Sequence, residues 1–382
     1  MKRLVILTEI ISPYRIPLFN ALARSTTINP HVIFLAETDP NLRQWLVYKE
    51  EIRFPHEILP SWRKRVGKFN VLLNRGVGRA LGAASPDAIL CGGYSYLASW
   101  LALFWARSRK IPFLLWSESN LHDARRGYAP VEMLKTTFLR ECHGFVVPGK
   151  SALEYLHAHR VKEDSIFVAP NAVDNELFSA AAAIAQQNEG ETRRRLDLPG
   201  RYFLFVGRLV REKGVFELLS AYAKLSETLR REVGLMFVGD GPCRPELERQ
   251  ATSTVSGQIK FTGFTHRDQL AKYYALAEVL VLPTHTDTWG LVVNEAMACG
   301  LPIILSRVAG CASDLVQDME NGLLVPPKDA AALAEAMTTL VTRPDLCARM
   351  RVKSADRIAS YTAAEWSNAI GRAIQFVTGT RD

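Results

Sequence analysis

Short apolar runs alternate with helix-length amphipathic segments along almost the whole chain, in two successive series. The first series is 3–7, 31–36, 87–91, 112–116, 144–148 and 166–169. The second is 202–206, 234–238, 259–261, 279–282, 302–305 and 323–325. Most of these runs are apolar at both odd and even positions. A strand with one wet face alternates, so the runs predict strands buried on both faces of parallel sheets. Segments 94–108, 150–160, 214–230, 267–277 and 330–342 carry helical spacing between them. Repeated βα units predict an α/β protein of doubly wound, Rossmann-like sheets.

At 382 residues the chain exceeds one comfortable core and fits two such domains. A polar, alanine-rich stretch, 179–200, separates the two series, and the joint is set near 170–178, at Pro170-Asn-Ala-Val-Asp174. The predicted domains are 1–170 and 171–361. The alanine run 180–183 reads as helix rather than low complexity.

Several classes are excluded early. No apolar run reaches about 18 residues, so no membrane-spanning helix is expected. The basic start Met1-Lys-Arg and the short apolar run before Glu9 fit a first strand better than a signal peptide, which predicts a cytoplasmic protein. The cysteines at 91, 142, 243, 299, 311 and 347 show no CxxC or metal-ligand spacing. They predict a reducing compartment and no metal site.

Charge is uneven. Residues 1–170 hold 23 Lys and Arg against 14 Asp and Glu, out of 47 and 39 in the whole chain. The net charge of +8 therefore originates in the first half. Between Glu57 and Asp87 lie Arg63, Lys64, Arg65, Lys68, Arg75 and Arg79, with no acid and with Trp62, Val66, Phe69, Leu72 and Leu73 interleaved. Segment 63–79 is read as a basic, apolar-studded helix suited to an anionic membrane surface, with a solvated helix face as the alternative. No nucleic-acid-binding motif is present, so nucleic acid is not an expected partner.

The first strand is followed by Glu9-Ile-Ile-Ser-Pro-Tyr-Arg15, without the GxGxxG that a dinucleotide would need there. Gly239-Asp-Gly241 follows a strand, but a lone GxG more often marks a tight strand-to-helix turn. Stronger signals lie elsewhere. In Phe205-Val-Gly207-Arg208-Leu-Val-Arg211-Glu-Lys213-Gly214, two cations sit on a loop at the carboxyl end of a strand, ahead of a helix. Such a loop can hold phosphate oxygens, by an Arg fork and a Lys point charge. In Asp287-Thr-Trp-Gly290-Leu-Val-Val-Asn-Glu295-Ala-Met-Ala-Cys-Gly300-Leu-Pro302, two acids flank the start of a helix. Gly290 allows close approach, and the amides of Leu291, Val292 and Val293 are expected to lack partners and to face a diphosphate. Glu295 lies about one turn further in, placed to accept from ribose hydroxyls, with Asp287 facing sugar hydroxyls. A structural salt bridge is the competing role for these acids.

Gly207-Arg208-x4-Lys213-Gly214 together with acid-x7-Glu and Ala-Met-Ala-Cys-Gly-Leu-Pro resembles the family 4 glycosyltransferases of the GT-B fold. Pro170-Asn-Ala-Val-Asp174, Phe237-Val-Gly-Asp-Gly-Pro242, Phe261-Thr-Gly263-Phe and Asn321-Gly-Leu-Leu-Val-Pro326 match in order. The resemblance is strong over about 168–345 and weak over the first half. It implies two Rossmann-like domains facing across a cleft, an acceptor-binding first domain and a nucleotide-sugar-binding second one. It also implies a terminal helix, about 362–376, that crosses back onto the first domain and lets the two close.

The implied reaction is a metal-independent, retaining sugar transfer without a cofactor, from a UDP-sugar or, second, a GDP-sugar. The acceptor would be a glycan or lipid-linked molecule of surface polysaccharide synthesis, at the inner face of the cytoplasmic membrane. By analogy Arg208, Lys213, Gly290, Leu291 and Val292 bind the donor diphosphate, Glu295 the ribose and Asp287 the sugar, while Phe264 and Thr265 lie near the base. The chain departs from the family at two places. The first acid is usually Glu, and Asp287 is shorter by about 1.5 Å. Where many members carry a His after the strand 112–116, this chain has Ser117-Glu118-Ser119-Asn120. Glu118 is assigned to the reaction centre together with Asp287 as the catalytic residues, with His122 as rival and a lost catalytic group as a third reading. Tyr14 and Arg15, on the first βα loop, are read as acceptor-binding or as a helix start. Other functions compatible with the chain are an inactive binding protein on the same fold, a sugar-nucleotide epimerase and a phosphorylase.

Overall fold

The structure is a computed structural model that describes residues 1–39, 46–66, 69–121, 129–254, 257–379. The chain forms two compact units, Met1–Ala172 with Thr362–Asp382, and Val173–Tyr361.

The first unit carries strands β1 (Lys2–Thr8), β2 (Ile28–Phe34), β3 (His56–Ile58), β4 (Ser61–Val66), β5 (Phe69–Asn74), β6 (Ala88–Cys91), β7 (Phe113–Trp116), β8 (Gly144–Val147) and β9 (Ile166–Val168). Between them lie helices α1 (Ile16–Ala23), α2 (Val77–Ala84), α3 (Leu97–Ser108), α4 (Ala129–Arg140) and α5 (Lys150–Ala158). The main sheet runs β3-β2-β1-β6-β7-β8-β9, all parallel. Strands β6, β7 and β8 are buried throughout, which is why their sequences are apolar on both parities. Chain order reverses direction between β1 and β6, so the loops after these strands flank a switch point.

The second unit begins with α6 (Asn175–Gln187) and α7 (Glu189–Leu196). Its strands are β10 (Tyr202–Val206), β11 (Gly234–Val238), β12 (Ile259–Gly263), β13 (Val279–Leu282), β14 (Ile303–Ser306) and β15 (Gly322–Val325). Its other helices are α8 (Val215–Lys224), α9 (Glu227–Glu232), α10 (Arg244–Thr254), α11 (Arg267–Ala275), α12 (Leu291–Ala298), α13 (Ala312–Leu315), α14 (Ala330–Thr342) and α15 (Pro344–Ile358). The sheet runs β12-β11-β10-β13-β14-β15, again parallel, with its switch point between β10 and β13. Stretch 179–200 forms most of α6 and α7, and Phe178, Ala182 and Ala185 of α6 are buried in this unit's core. A last helix, α16 (Ala363–Gly379), returns to the first unit, where Trp366, Ala369, Ile370, Ala373 and Ile374 join the core on the α1 side of the sheet.

The basic segment 63–79 is not a helix. β4 and β5 pair antiparallel, with Trp62 opposite Leu73 and Arg63 opposite Leu72. The alternation of the two strands turns Leu72 into the core and leaves Trp62 and Leu73 exposed. Helix begins only at Val77. Nor is Arg63 a free surface cation, because it forms ion pairs with Glu9 (3.3 Å) and with the buried Asp39. The side chains of Arg65 and Lys68 lie outside the described residues.

Candidate functional site

In an open α/β sheet, loops at the carboxyl ends of the strands beside the switch point build the ligand site. In the second unit these loops follow β10 and β13, and they hold the two segments singled out in the sequence. Gly207 and Arg208 follow β10 directly. The Gly207 amide donates to Val238 O (3.0 Å) and the Leu209 amide to Asp240 O (2.9 Å), so the Gly239-Asp-Gly241 turn braces this loop. Arg208 is exposed, and among the described residues it has neither an ion pair nor a side-chain hydrogen bond. The chain then makes a 3-10 turn, Arg211–Lys213, and enters α8 through Gly214. Gly214 has φ +69°, and a Cβ there would lie 2.0 Å from Pro283 O. Only glycine lets the loop after β10 touch the loop after β13.

That contact is reinforced by Thr284, fully buried, whose hydroxyl bridges Glu212 O (2.9 Å) and Thr286 O (2.7 Å). The His285 amide donates to Glu212 O (2.8 Å), and its ring lies 3.0 Å from Glu217. With the loops locked together, Lys213 Nζ forms an ion pair with Asp287 Oδ2, both side chains largely buried. The sequence assigned these residues to different parts of a donor, and the fold makes them direct partners.

The start of α12 is shaped by Gly290, at φ +100°. Behind it the buried Trp289 donates from Nε1 to Asn294 Oδ1 (2.8 Å), which anchors the first turn. Among the described residues the amides of Leu291 and Val292 have no acceptor. The Val293 amide does not join them, because it donates to Gly290 O (2.9 Å). A tight turn consumes the third donor expected at this helix start. Two adjacent free amides at a helix N-terminus remain, a fitting place for phosphate oxygens.

Glu295 follows one turn later. Its Oε2 accepts from the buried Tyr274 hydroxyl (2.7 Å). Burial pushes its pKa up to about 7, against the downward influence of the Tyr274 hydrogen bond and the Arg267 charge. Burial and the facing carboxylate in turn hold the Tyr274 phenol well above its usual range. Tyr274 was not singled out in the sequence, where it reads as one apolar position of α11. Phe264, after β12, is about 40 % exposed and meets His266 edge-on at 5.0 Å.

The first unit gathers a second group at its own switch point. Arg15 ends a 3-10 turn and begins α1. Its guanidinium donates to Thr8 Oγ1 (2.7 Å), pairs with Glu118 Oε1 (3.4 Å) and lies over the Trp116 ring at 4.4 Å. Burial pulls the Arg15 pKa down, while Glu118, Tyr14 and Glu9 together lift it above its usual value. Arg15 is thus a largely buried counter-ion of Glu118. Tyr14 sits beside it, with the guanidinium 5.9 Å from its ring. Glu118, at the end of β7, keeps about 29 % side-chain exposure. His122 lies outside the described residues. A surface groove of about 1020 Å³ between α1 and α16, lined in part by Arg24 and Arg372, holds none of the candidate residues.

Two doubly wound units with their polar residues at switch points define the class, and comparison with solved structures agrees. The Anabaena protein Alr3699/HepE, solved with UDP and glucose, superposes with a TM-score of 0.76 over 98 % of this chain and all of that one, at 16 % identity. The fold is GT-B. Residues 188–357 match the family described as "Glycosyl transferases group 1", and residues 18–177 match "Glycosyltransferase Family 4". The chain belongs to this glycosyltransferase family. It is 30 % identical over 244 residues to the D-inositol 3-phosphate glycosyltransferase of Thermomonospora curvata, covering 61 % of this chain and 56 % of that protein. It is 39 % identical over 155 residues to the putative teichuronic acid biosynthesis glycosyltransferase TuaC of Bacillus subtilis, 40 % of this chain and 36 % of that protein. The matches span about half the length of such relatives or less.

Proposed function

We propose that the chain transfers a sugar, with retention of anomeric configuration, from a nucleotide-sugar donor to a glycan or lipid-linked acceptor. The observation that carries this is the convergence at one switch point of Arg208, Lys213, the free amides of Leu291 and Val292, and the carboxylate of Glu295. A nucleoside diphosphate needs that combination: positive charge and N–H donors for the diphosphate, and a carboxylate acceptor for the ribose hydroxyls. Arg208 and Lys213 neutralise charge that grows on the leaving diphosphate, where electrostatic stabilisation lowers a barrier most. Lys213 does so while exchanging its partner Asp287 for phosphate oxygen. The released Asp287 then accepts from donor-sugar hydroxyls, coupling diphosphate binding to sugar recognition.

UDP is the favoured carrier, supported by the HepE complex, with GDP second. Surface-polymer synthesis is the favoured setting, supported by the similarity to TuaC, which is named for teichuronic acid biosynthesis. Six free thiols suit a reducing compartment. Among the described residues no helix is long and apolar enough to cross a membrane. Glu118, held by Arg15, is assigned the role of an acceptor that stabilises positive charge on the anomeric carbon.

The test is nucleotide release from a panel of UDP-, GDP- and ADP-sugars with glycan and lipid-linked acceptors. Transfer with one donor, lost in Glu118→Ala and kept in His122→Ala, supports the assignment. Full rate in Glu118→Ala removes Glu118 from the mechanism. Conversion of the donor to its epimer without acceptor replaces transfer by epimerisation.

A further inference from the structure

The groove between α1 and α16 belongs to the first unit alone and holds none of the residues assigned to sugar transfer. Its volume, about 1020 Å³, is at the upper end of what small-molecule sites offer. Its walls are the outer face of α16, the last turn of α1 and the turn Ser25–Thr27 that leads into β2. That turn is held in shape by the Ser25 hydroxyl, which accepts from the amides of Thr27 (3.2 Å) and Ile28 (3.3 Å). The Lys2 amide donates to Thr27 O (2.8 Å) and ties the turn to the start of β1.

The charge of the lining has one sign. Lys2, Arg24 and Arg372 bring three exposed cations. Among the described residues no acid and no aromatic side chain lines the groove, and no acid pairs with the three bases. Thr26, Ser367 and Thr378 add hydroxyls, and Asn368 and Gln375 add amides. Gly371 completes the wall from the interior of α16. Its φ is not positive, and a Cβ there would meet nothing within 4 Å. Neither backbone nor packing therefore requires glycine, which weakens a helix interior. What the missing side chain leaves is open space in the groove.

We propose that this groove binds an anionic glycan, a chain of sugars that carries carboxylate or phosphate groups. Lys2, Arg24 and Arg372 meet the anionic groups, and the hydroxyls and amides between them meet sugar hydroxyls. Nucleic acid fits less well, because no aromatic ring is there to stack a base. An acidic peptide would gain no strand pairing, because β1 and β2 each have both edges taken. The groove stands at the amino ends of β1 and β2, and Arg15 and Glu118 meet at the carboxyl edge of the same sheet. The length of β1, Lys2–Thr8, separates the two edges by about 20 Å. A monosaccharide is too short to touch both, and an oligosaccharide is long enough. On the transfer reading, on which this role rests, the groove holds the part of the acceptor already built and raises the effective concentration of its growing end.

The test is calorimetric titration of the full chain, without donor, with four probes: oligogalacturonate, a phosphorylated mannooligosaccharide, a neutral maltooligosaccharide of matched length, and polyglutamate. Saturable binding of one or both anionic glycans, weakened by salt and absent for the neutral one, is expected, and the stronger of the two identifies the anionic group. Arg24→Glu/Arg372→Glu should weaken it by at least about tenfold, from loss of two charged contacts. Gly371→Leu should block it while keeping or raising the melting temperature, because leucine fills the groove and favours the helix. Both variants should keep the wild-type nucleotide-induced melting shift and the wild-type rate with a monosaccharide acceptor. They should lose only the lower KM of long anionic acceptors. Glycan binding in a chain that transfers no sugar would support the groove and overturn its role in transfer. No binding of either anionic glycan by the folded chain, equal binding of the neutral glycan or of polyglutamate, or binding unchanged in Gly371→Leu overturns the proposal.

Discussion

Glu295 makes affinity for the donor depend on pH in a way that can be worked out. Its carboxyl is raised from an ordinary 4.5 to about 7, chiefly by burial. If the ionised form holds the ribose hydroxyls, the competent fraction is about one-tenth near pH 6 and about nine-tenths near pH 8. Apparent affinity scales with that fraction, so a nucleotide sugar should bind about tenfold tighter at the higher pH. A nucleotide sugar is the right ligand, because its diphosphate diester does not itself titrate in this window. Glu295→Gln keeps an oxygen for the Tyr274 hydroxyl but cannot ionise, so its affinity should be weaker and flat with pH. Stability carries the opposite sign. The folded state binds the extra proton between about 4.5 and 7, so stability falls as pH rises through that window. The rise, at about 1.4 kcal/mol per pH unit, corresponds to roughly 3 kcal/mol, so Glu295→Gln should gain up to that much relative to wild type near pH 8. Titration calorimetry and denaturant unfolding at matched pH values measure both. Parallel pH profiles for wild type and Glu295→Gln would refute the reasoning.

Other substitutions test other joints of the structure. Gly214→Ala should destabilise by roughly 3 kcal/mol, because its Cβ would meet Pro283 O at 2.0 Å; a melting temperature within a degree or so of wild type would contradict the close approach. Glu118→Gln leaves the largely buried Arg15 uncompensated and should cost about 3 kcal/mol, with part recovered in Arg15→Met/Glu118→Gln; no recovery in unfolding experiments would mean the pair is not coupled. Lys213→Met should lower kcat/KM about a hundredfold, and Asp287→Asn should cost less in the Lys213→Met background than alone; additive kinetic effects would deny the pair its role.

Most strands of the two sheets were legible because burial on both faces forces apolar residues at every position, as in β10, β11 and β13, whereas the short, largely polar edge strand β3 was not expected. β2 is the instructive exception, expected at 31–36 and found at Ile28–Phe34. The strand includes Pro30, but β3 pairs only with Val32–Phe34, so the missing N–H leaves no ladder gap on that side. The expected helix 214–230 breaks at Leu225, where Ser226 caps α9 by accepting from the Leu229 amide. The β4–β5 hairpin was hidden because its apolar residues also fit helical spacing. The β-prone residues of 61–66 and 69–74 were the available signal.

Within the site, the glycines and charged residues were visible as local patterns. Their partnerships were not. Lys213 and Asp287 are 74 positions apart, and Arg15 and Glu118 are 103 apart. Only the strand order of each sheet brings such loops together. Tyr274 gave no signal, because a buried tyrosine and its hydrogen bond look like any core aromatic until the fold supplies its acceptor.

The central claim is that the carboxyl edge of the second unit holds a nucleotide-sugar donor. Thermal shift of the full chain with UDP, GDP and ADP tests it most directly. A saturable rise in melting temperature with one of them, absent in Arg208→Ala/Lys213→Ala, is the predicted result. No shift with any of the three, together with no nucleotide released from any nucleotide sugar, would contradict it.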